Sequence, residues 1–513
     1  MMIIHITLLP VYSVLAIMLA SLPLDAARVV RYSDFGAKGD GKTDDSAALV
    51  KAHTYANQKR LPVKAEDDAT YYIGGAAETI RIMTNTDFGS ASFIIDDTKL
   101  NNHRADVFEV RSALKPFPLK GVNALRKGQK SISARIPSPC LVIATNSKMM
   151  RFIRRGNNEN AGRAQTDVFL LDQRGRVNPN TPIIWDFDPI SKIEAYPIDP
   201  KPLILKGGKF TTIAHSKKSS HYHSRGVRIQ RSNVIIDGLE HRIKGEGKDG
   251  PPYRGFINIT KCANVQIRDT ILSGHKTYHK IGSAGRRVAM GSYDLNINSS
   301  LNVSLIRCSQ FNDIMDKNIW GIMGTNFCKN LTLDGCKLSR FDAHMGVTHA
   351  TIRDSTLGYM GIRLTGFGTF KVENTTVKAA DFISLRPDYG STWHGEILIR
   401  DCRFEPTTSR STLSIISGSN DGQHDFGYST HLPNRVMIDG LHIDDSKLGK
   451  GYRGPTVFGN INPQMKNPSY KPPYPQVLPQ QVAYRRVKTK SGKPLRMSEN
   501  PFMFRKVKVY QGK

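Results

Sequence analysis

Residues Ser232–Ile243 read SNVIIDGLEHRI. The same phrase returns as ANVQIRDTILSG from Ala263, LNVSLIRCSQFN from Leu301 and KNLTLDGCKLSR from Lys329. It continues as HATIRDSTLG from His349, GTFKVENTTV from Gly368, GEILIRDCRF from Gly395 and NRVMIDGLHI from Asn434. One residue of each short strand serves as an anchor: Ile236, Ile267, Leu305, Leu333, Ile352, Val372, Ile399 and Ile438, spaced by 31, 38, 28, 19, 20, 27 and 39 residues. Two positions before each anchor stands another apolar residue, and this period-two alternation specifies strand rather than helix. Three positions after it stand Leu239, Thr270, Cys308, Cys336, Ser355, Thr375, Cys402 and Leu441. Parity breaks there, so the chain must bend and turn these mostly small or apolar residues inward. That puts Cys308, Cys336 and Cys402 in an inward ladder of structural thiols.

Upstream of the phrases lie further short strands, GFINI, DLNIN, WGIMG, HMGVT, GIRLT and FISLR. Each coil is then strand, turn, strand, bend and strand. Such a unit cannot bury its apolar face alone but can do so against its neighbours. The expected fold is all-β, a right-handed parallel β-helix with an N-terminal capping helix and an inserted β-rich segment.

Near the start, Asp34–Leu49 reads DFGAKGDGKTDDSAAL and runs on into VKAHTYA. It is no phosphate loop, since no Gly-Lys-Ser/Thr follows at the required spacing. As a calcium loop Asp40, Asp44 and Asp45 lack the distal bidentate Glu. The stretch resembles the amino-terminal segment of the pectate-lyase-like β-helix superfamily, which includes polysaccharide lyases, polygalacturonase-type hydrolases and phage tailspikes. The resemblance implies a Gly-rich loop leading into a short helix that covers the open end of the solenoid. Thr43 or Asp44 is expected to cap that helix, with acidic residues in its first turn opposing the macrodipole.

The uncharged apolar run Leu8–Leu24, followed by Ala26 and Ala27, reads as a signal peptide cleaved near Ala26. An uncleaved anchor is the alternative, because the preceding segment carries His5 but no Lys or Arg. The expected divisions are 1–26 signal peptide, 27–215 cap, early coils and insertion, 216–445 β-helix core, and 446–513 a basic, Pro-rich extended tail. The segment RFIRRGNNENAGRAQTDVFLLDQRGRV is expected to be an insertion packed on the early coils and lining a substrate groove. The protein is expected to be secreted or periplasmic and monomeric, with no nucleic-acid partner and no membrane contact after cleavage. With 73 Lys and Arg against 44 Asp and Glu, a formal charge of +29, its surface attracts polyanions. For an exported protein, acidic polysaccharide is the expected partner. The six cysteines contain no CxxC and suggest no zinc site. Sequons at Asn258, Asn298, Asn302, Asn330 and Asn374 read as turn asparagines that the repeats generate.

Outward side chains of stacked strands form columns. Aligning the upstream strands places Asn258, Asn296, Arg363 and either Ser384 or Arg386 in one column, with Trp320 and His344 close by. Loops flanking the coils add Lys248, Arg254, Arg286, Arg287, Lys317 and Asp342 as candidate substrate contacts. No dinucleotide fingerprint is present, no cofactor is expected, and the carboxylates near Asp313, Asp316 and Asp342 make a poor calcium site. Hydrolase motifs of the resembling family, NTD, DD, GHG and RIK, are absent from the central coils or out of order. A lyase removes the proton α to a uronate carboxylate, and so needs a cation for that carboxylate, a base and an acid. The candidates are His344 or His275 as base, Tyr389 or Tyr293 as acid, and Arg363 with Arg386 for the carboxylate. The expected function is β-elimination on a uronic-acid polysaccharide, with the charge favouring sulfated glycosaminoglycans. A non-catalytic glycan-binding β-helix and a hydrolase with an atypical site are the competing readings.

Overall fold

The computed structural model describes residues 29–75, 78–100 and 102–512; the expected leader lies outside them. The described chain is a parallel β-helix of three strand stacks. In the first stack, Ile236, Ile267, Leu305, Leu333, Ile352, Val372, Ile399 and Ile438 oppose one another in one unbroken ladder. Leu205 precedes them and Tyr484 follows.

Two residues past each anchor the backbone enters the left-handed region, from Gly238 through Asp269, Arg307, Gly335, Asp354, Asn374 and Asp401 to Gly440. One such residue reverses the in–out alternation. The residue after it therefore turns inward, and all eight, from Leu239 to Leu441, are buried. All six cysteines are buried free thiols. Four coils enter the first stack through a left-handed asparagine, Asn233, Asn264, Asn302 and Asn330. Asparagine tolerates this conformation, and the side-chain amides of Asn264, Asn302 and Asn330 each donate to the previous Asn at 2.9–3.0 Å. His349 takes the next position, its Nδ1 accepting from the Thr369 amide at 3.0 Å.

The second stack follows the bends and includes Lys337–Asp342, Thr356–Leu364, Ile383–Leu385 and Ser414–Ser417. The third stack runs Ile80–Ile82, Phe108–Arg111, Val227–Gln230, Ile257–Thr260, Leu295–Asn298 and Met323–Asn326. The expected single column is therefore two columns. Asn258 and Asn296 pair in the third stack and lead to Gly324. Arg363 lies between Asp342 and Ser384 in the second. Coil length explains the split: where anchors are only 19 and 20 residues apart, the coil is too short for a third full strand. The third stack dwindles to one bridge, Asn326–Met345.

Three other expectations need correction. Beyond residue 446 the chain is no extended tail: Gln481–Thr489 and Lys508–Gln511 add two more layers to the first stack, joined by wandering Pro-rich connections. The capping helix spans Ser46–Lys59, but its N-cap is Asp45, and its first turn carries no acid. The Asp45 carboxylate instead accepts from the Lys38 and Gly39 amides at 2.7 and 3.1 Å, tying down the Gly-rich loop. The insertion is a four-stranded antiparallel sheet, ordered Arg163–Leu171, Cys140–Arg151, Lys192–Pro197 and Phe117–Pro118, with its own core around Val142, Phe169 and Phe187. It docks on middle rather than early coils, through a buried Lys329–Asp167 ion pair of 2.7 Å.

Candidate functional site

At the edge of the second stack, a cleft of about 750 Å³ opens between the insertion and the middle coils. Its floor is the outer face of Lys337–Asp342 and Thr356–Leu364, where period-two alternation turns Phe341 inward and Arg340 and Asp342 outward. One wall is the loop after the insertion strand Cys140–Arg151, carrying Arg154 and Arg155. Beside it stands the hairpin Tyr278–Ile281/Arg287–Met290, whose Ser283 Oγ donates to the Glu159 carbonyl at 2.8 Å. The short 3₁₀ turn Pro387–Tyr389 and the loop at Ser419–Asp421 close the far side.

Arg154, Arg155, Arg287, Arg340, Arg363 and Arg386 line this cleft, with Asp388 and Asp421. Arg386 bridges Asp342 at 3.0 Å and Asp388 at 2.8 Å; Arg340 holds Asp342 at 2.6 Å, and Arg154 holds Asp388 at 2.7 Å. Arg155 grips Asp421 with both terminal nitrogens. Among the described residues, Arg363 and Arg287 make no ion pair. Arg363 donates to Ser384 Oγ at 2.7 Å and to the Met360 carbonyl. Burial, then the like charges of Arg340 and Arg386, lower its pKa. Arg340, stacked 5.3 Å over Trp320, leaves Nε and Nη1 buried without hydrogen-bond partners. The cleft thus carries more cation than its carboxylates balance, and an entering anion would relieve that excess.

Burial would raise the Asp388 pKa, but Arg386 and Arg154 overcome it and hold the carboxyl below its ordinary value. The Arg155 hydrogen bond does the same for Asp421. Asp381, behind Arg363, moves the other way: burial raises its pKa, with Ser417 and Arg363 offsetting only part of the effect.

His344 and Tyr389 form a pair one layer below the lining. Tyr389 OH lies 3.2 Å from His344 Nε2, and His344 Nδ1 lies 2.9 Å from Asn326 Oδ1. An Asn oxygen accepts, so Nδ1 carries the proton and Nε2 receives the tyrosine hydroxyl. Burial, reinforced by Arg386, lowers the His344 pKa well below the usual value and keeps the ring neutral. Burial pushes Tyr389 up to about 12. The Tyr389 ring is covered by Arg154 and Arg386 at 5.6 and 5.7 Å. Tyr293 is the less covered tyrosine; burial raises its pKa, and Arg340, Arg386 and Arg154 act on its hydroxyl. Its ring occupies the space where a Cβ on Gly324 would lie, 2.9 Å from Cε1.

The structure therefore brings together Arg363, Arg386, Arg287, Trp320, Tyr293, His344 and Tyr389. Asp342 is fully buried beneath two arginines and positions them rather than meeting a ligand. His275 lies outside the cleft lining, buried between Glu246 at 3.1 Å and Asp294 at 3.6 Å. Burial opposes its charge, but these carboxylates raise its pKa to about 9. A protonated, enclosed histidine cannot serve as base. Asn258 is buried and accepts from Asn296 at 3.3 Å in the third stack. Lys248, Arg254, Arg286 and Lys317 are exposed and do not line the cleft. Arg154, Arg155, Arg340 and Asp421 were not among the sequence candidates. The Arg-rich segment Arg151–Gly156, within the stretch expected to line a groove, signals Arg154 and Arg155; Arg340 and Asp421 lie outside it.

No family model matches the chain. A curated relative, a KL64-specific capsule depolymerase of Klebsiella phage P510, is 32% identical over 177 residues, covering 28% of this chain and 17% of that protein. The chain thus spans under a fifth of that relative's length. Among solved structures, the tailspike gp61 of Pseudomonas phage phi297 aligns with a TM-score of 0.55 at 11% identity, covering 94% of this chain and 83% of that one. The Gp54 tailspike of Acinetobacter baumannii bacteriophage AP22, solved with A. baumannii capsular saccharide, gives 0.54 at 10% identity, covering 91% and 74%. At these identities the likeness establishes the parallel β-helix fold.

Proposed function

We propose that the protein acts outside the cytoplasm on an acidic, uronate-bearing capsular polysaccharide and cleaves it in this cleft by β-elimination. The observation that carries the reading is the charge arrangement. Every carboxylate lining the cleft is tied to arginine, while Arg363 keeps its guanidinium without a carboxylate partner among the described residues. Arg363, flanked by Arg340 and Arg386, would neutralise the uronate carboxylate and stabilise the charge that develops when the adjacent proton leaves. Neutral His344, acting through Tyr389, would accept that proton, and Tyr293 would protonate the departing glycosidic oxygen. Arginine charge serves in place of a metal, so chelation is expected to leave the rate unchanged. The relative named for capsule depolymerisation and the tailspike solved with capsular saccharide support the substrate class.

A hydrolytic reading rests on Asp381. Glycoside hydrolysis needs a carboxyl as general acid, and Asp381, whose charge acts on Arg363, is the nearby carboxyl whose pKa burial raises. Incubation with a panel of acidic capsular polysaccharides, following ultraviolet absorbance and reducing ends together, separates the two. Elimination raises both signals, and Arg363→Ala is expected to abolish both. Reducing ends without absorbance, lost in Asp381→Asn, would replace elimination by hydrolysis. Silence in both, with binding retained at low salt, would leave a glycan-binding protein.

A further inference from the structure

On the opposite side of the insertion's docking segment lies a second depression, a trench of about 340 Å³ lined by Lys127, Arg151, Trp185, His349, Phe367 and His394, with Asp186 at its rim. An aromatic partition separates it from the cleft. Phe152 is buried against Phe327, Tyr389 and Tyr428, with ring centroids 5.8, 6.0 and 5.2 Å away. The segment through Phe152 presents guanidinium groups to both sides: Arg154 lies over Tyr389 by the cleft, and Arg151 lies 4.7 Å over Trp185 in the trench.

The trench combines three kinds of group. Arg151 donates to Gln165 at 2.9 Å and to the Gly427 carbonyl, and makes no ion pair among the described residues. Lys127 is exposed and likewise unpaired; the rim carboxylate of Asp186 accepts instead from the Lys127 backbone amide at 2.8 Å. Trp185 and Phe367 meet edge to face at 5.1 Å and form an apolar platform. His394 stacks on His431 at 3.9 Å with nearly parallel planes, and His431 Nδ1 is buried without a partner. Burial lowers the pKa of both rings, which keeps them neutral and able to bond hydroxyl groups. Unpaired cations beside an aromatic face and neutral hydrogen-bonding groups match a sugar that carries a carboxylate.

We propose that this trench is a second saccharide site that holds one acidic sugar residue, its carboxylate at Arg151 and Lys127 and its ring against Trp185. The site takes its ligand class from the proposed function but stands whether or not the cleft cleaves. It would retain the polymer while a distant unit occupies the cleft.

The three tryptophans separate the two sites, because Trp185 lies in the trench, Trp320 in the cleft and Trp393 in the core. Tetrasaccharides containing glucuronate, galacturonate or mannuronate are titrated into Trp320→Phe and Trp185→Phe proteins and the emission is followed. The Trp320→Phe protein is expected to show a saturable change with at least one probe. That change should survive Arg363→Ala and weaken roughly tenfold in Lys127→Glu. Lys127 is exposed and free of ion pairs, so the substitution spares the fold. Trench binding is overturned if the Trp320→Phe signal is absent with every probe, disappears with Arg363→Ala, or ignores Lys127→Glu. Silence in Trp320→Phe alone removes the trench; silence in Trp185→Phe as well removes acidic-glycan binding in the cleft too.

Discussion

His275 links the interior to pH. Its folded pKa of about 9 lies above the ordinary value of 6.5, so its contribution is complete below about pH 6.5 and is lost as pH rises through about 9. The shift corresponds to roughly 3 kcal/mol. Thermal melts are expected to show the wild-type midpoint falling between these pH values, whereas His275→Gln should start lower and vary little. At the cleft floor, Asp342→Asn would leave Arg340 and Arg386 buried without their shared carboxylate. Breaking such a pair from one side costs about 3–5 kcal/mol, measurable by urea unfolding. The proposed cleavage should fall with it, since both guanidinium groups lose their orientation. A change of less than about 1 kcal/mol would mean that Asp342 is not what holds them.

At the scale of elements, the ladder of anchors was legible because inward residues of a solenoid obey a local rule: alternation, one left-handed residue, then alternation again. Gly, Asn and Asp at the bends advertise that conformation, although Arg307 adopts it too. The outer columns were less legible. Which upstream strands stack depends on coil length, and GIRLT and FISLR moved to the second stack when the coils shortened. The cleft was half legible for a related reason. Arg363 and Arg386 sit on repeat strands, but Arg154 and Arg155 come from an antiparallel insertion with no period to align, and their partners Asp388 and Asp421 lie far along the chain. The insertion's attachment is testable. Lys329→Met leaves the buried Asp167 carboxylate without its cation, held only by the Val168 and Ile184 amides, so limited proteolysis should cut between Arg154 and Arg163 faster than in wild type. Unchanged cutting would show that the surrounding aromatic packing suffices.

Across the whole molecule, stability is nearly one-dimensional, since each coil is supported mainly by the coils above and below. Ending the chain at residue 446 would uncover Val436 and Ile438, which now pair with Val482 and Tyr484. That truncation is expected to aggregate at concentrations where the full chain stays dispersed, as light scattering would reveal. Polyanion binding should weaken steeply with ionic strength, because a formal charge of +29 acts over distances that salt screens.

The asparagine ladder bears on how the protein can be produced. The Nδ2 atoms of Asn302 and Asn330 donate to the neighbouring Asn, and that of Asn374 donates to Asp354 at 2.6 Å. All three asparagines also head sequons. In the secretory pathway of a eukaryotic host, a glycan attached to such a nitrogen would remove one of its amide hydrogens and drive a bulky branch into the interval between coils. Yeast or mammalian secretion should therefore yield little folded protein, and Ser304→Ala, Thr332→Ala and Thr376→Ala, which break the sequons but keep the asparagines, should recover it, whereas bacterial expression needs no such changes.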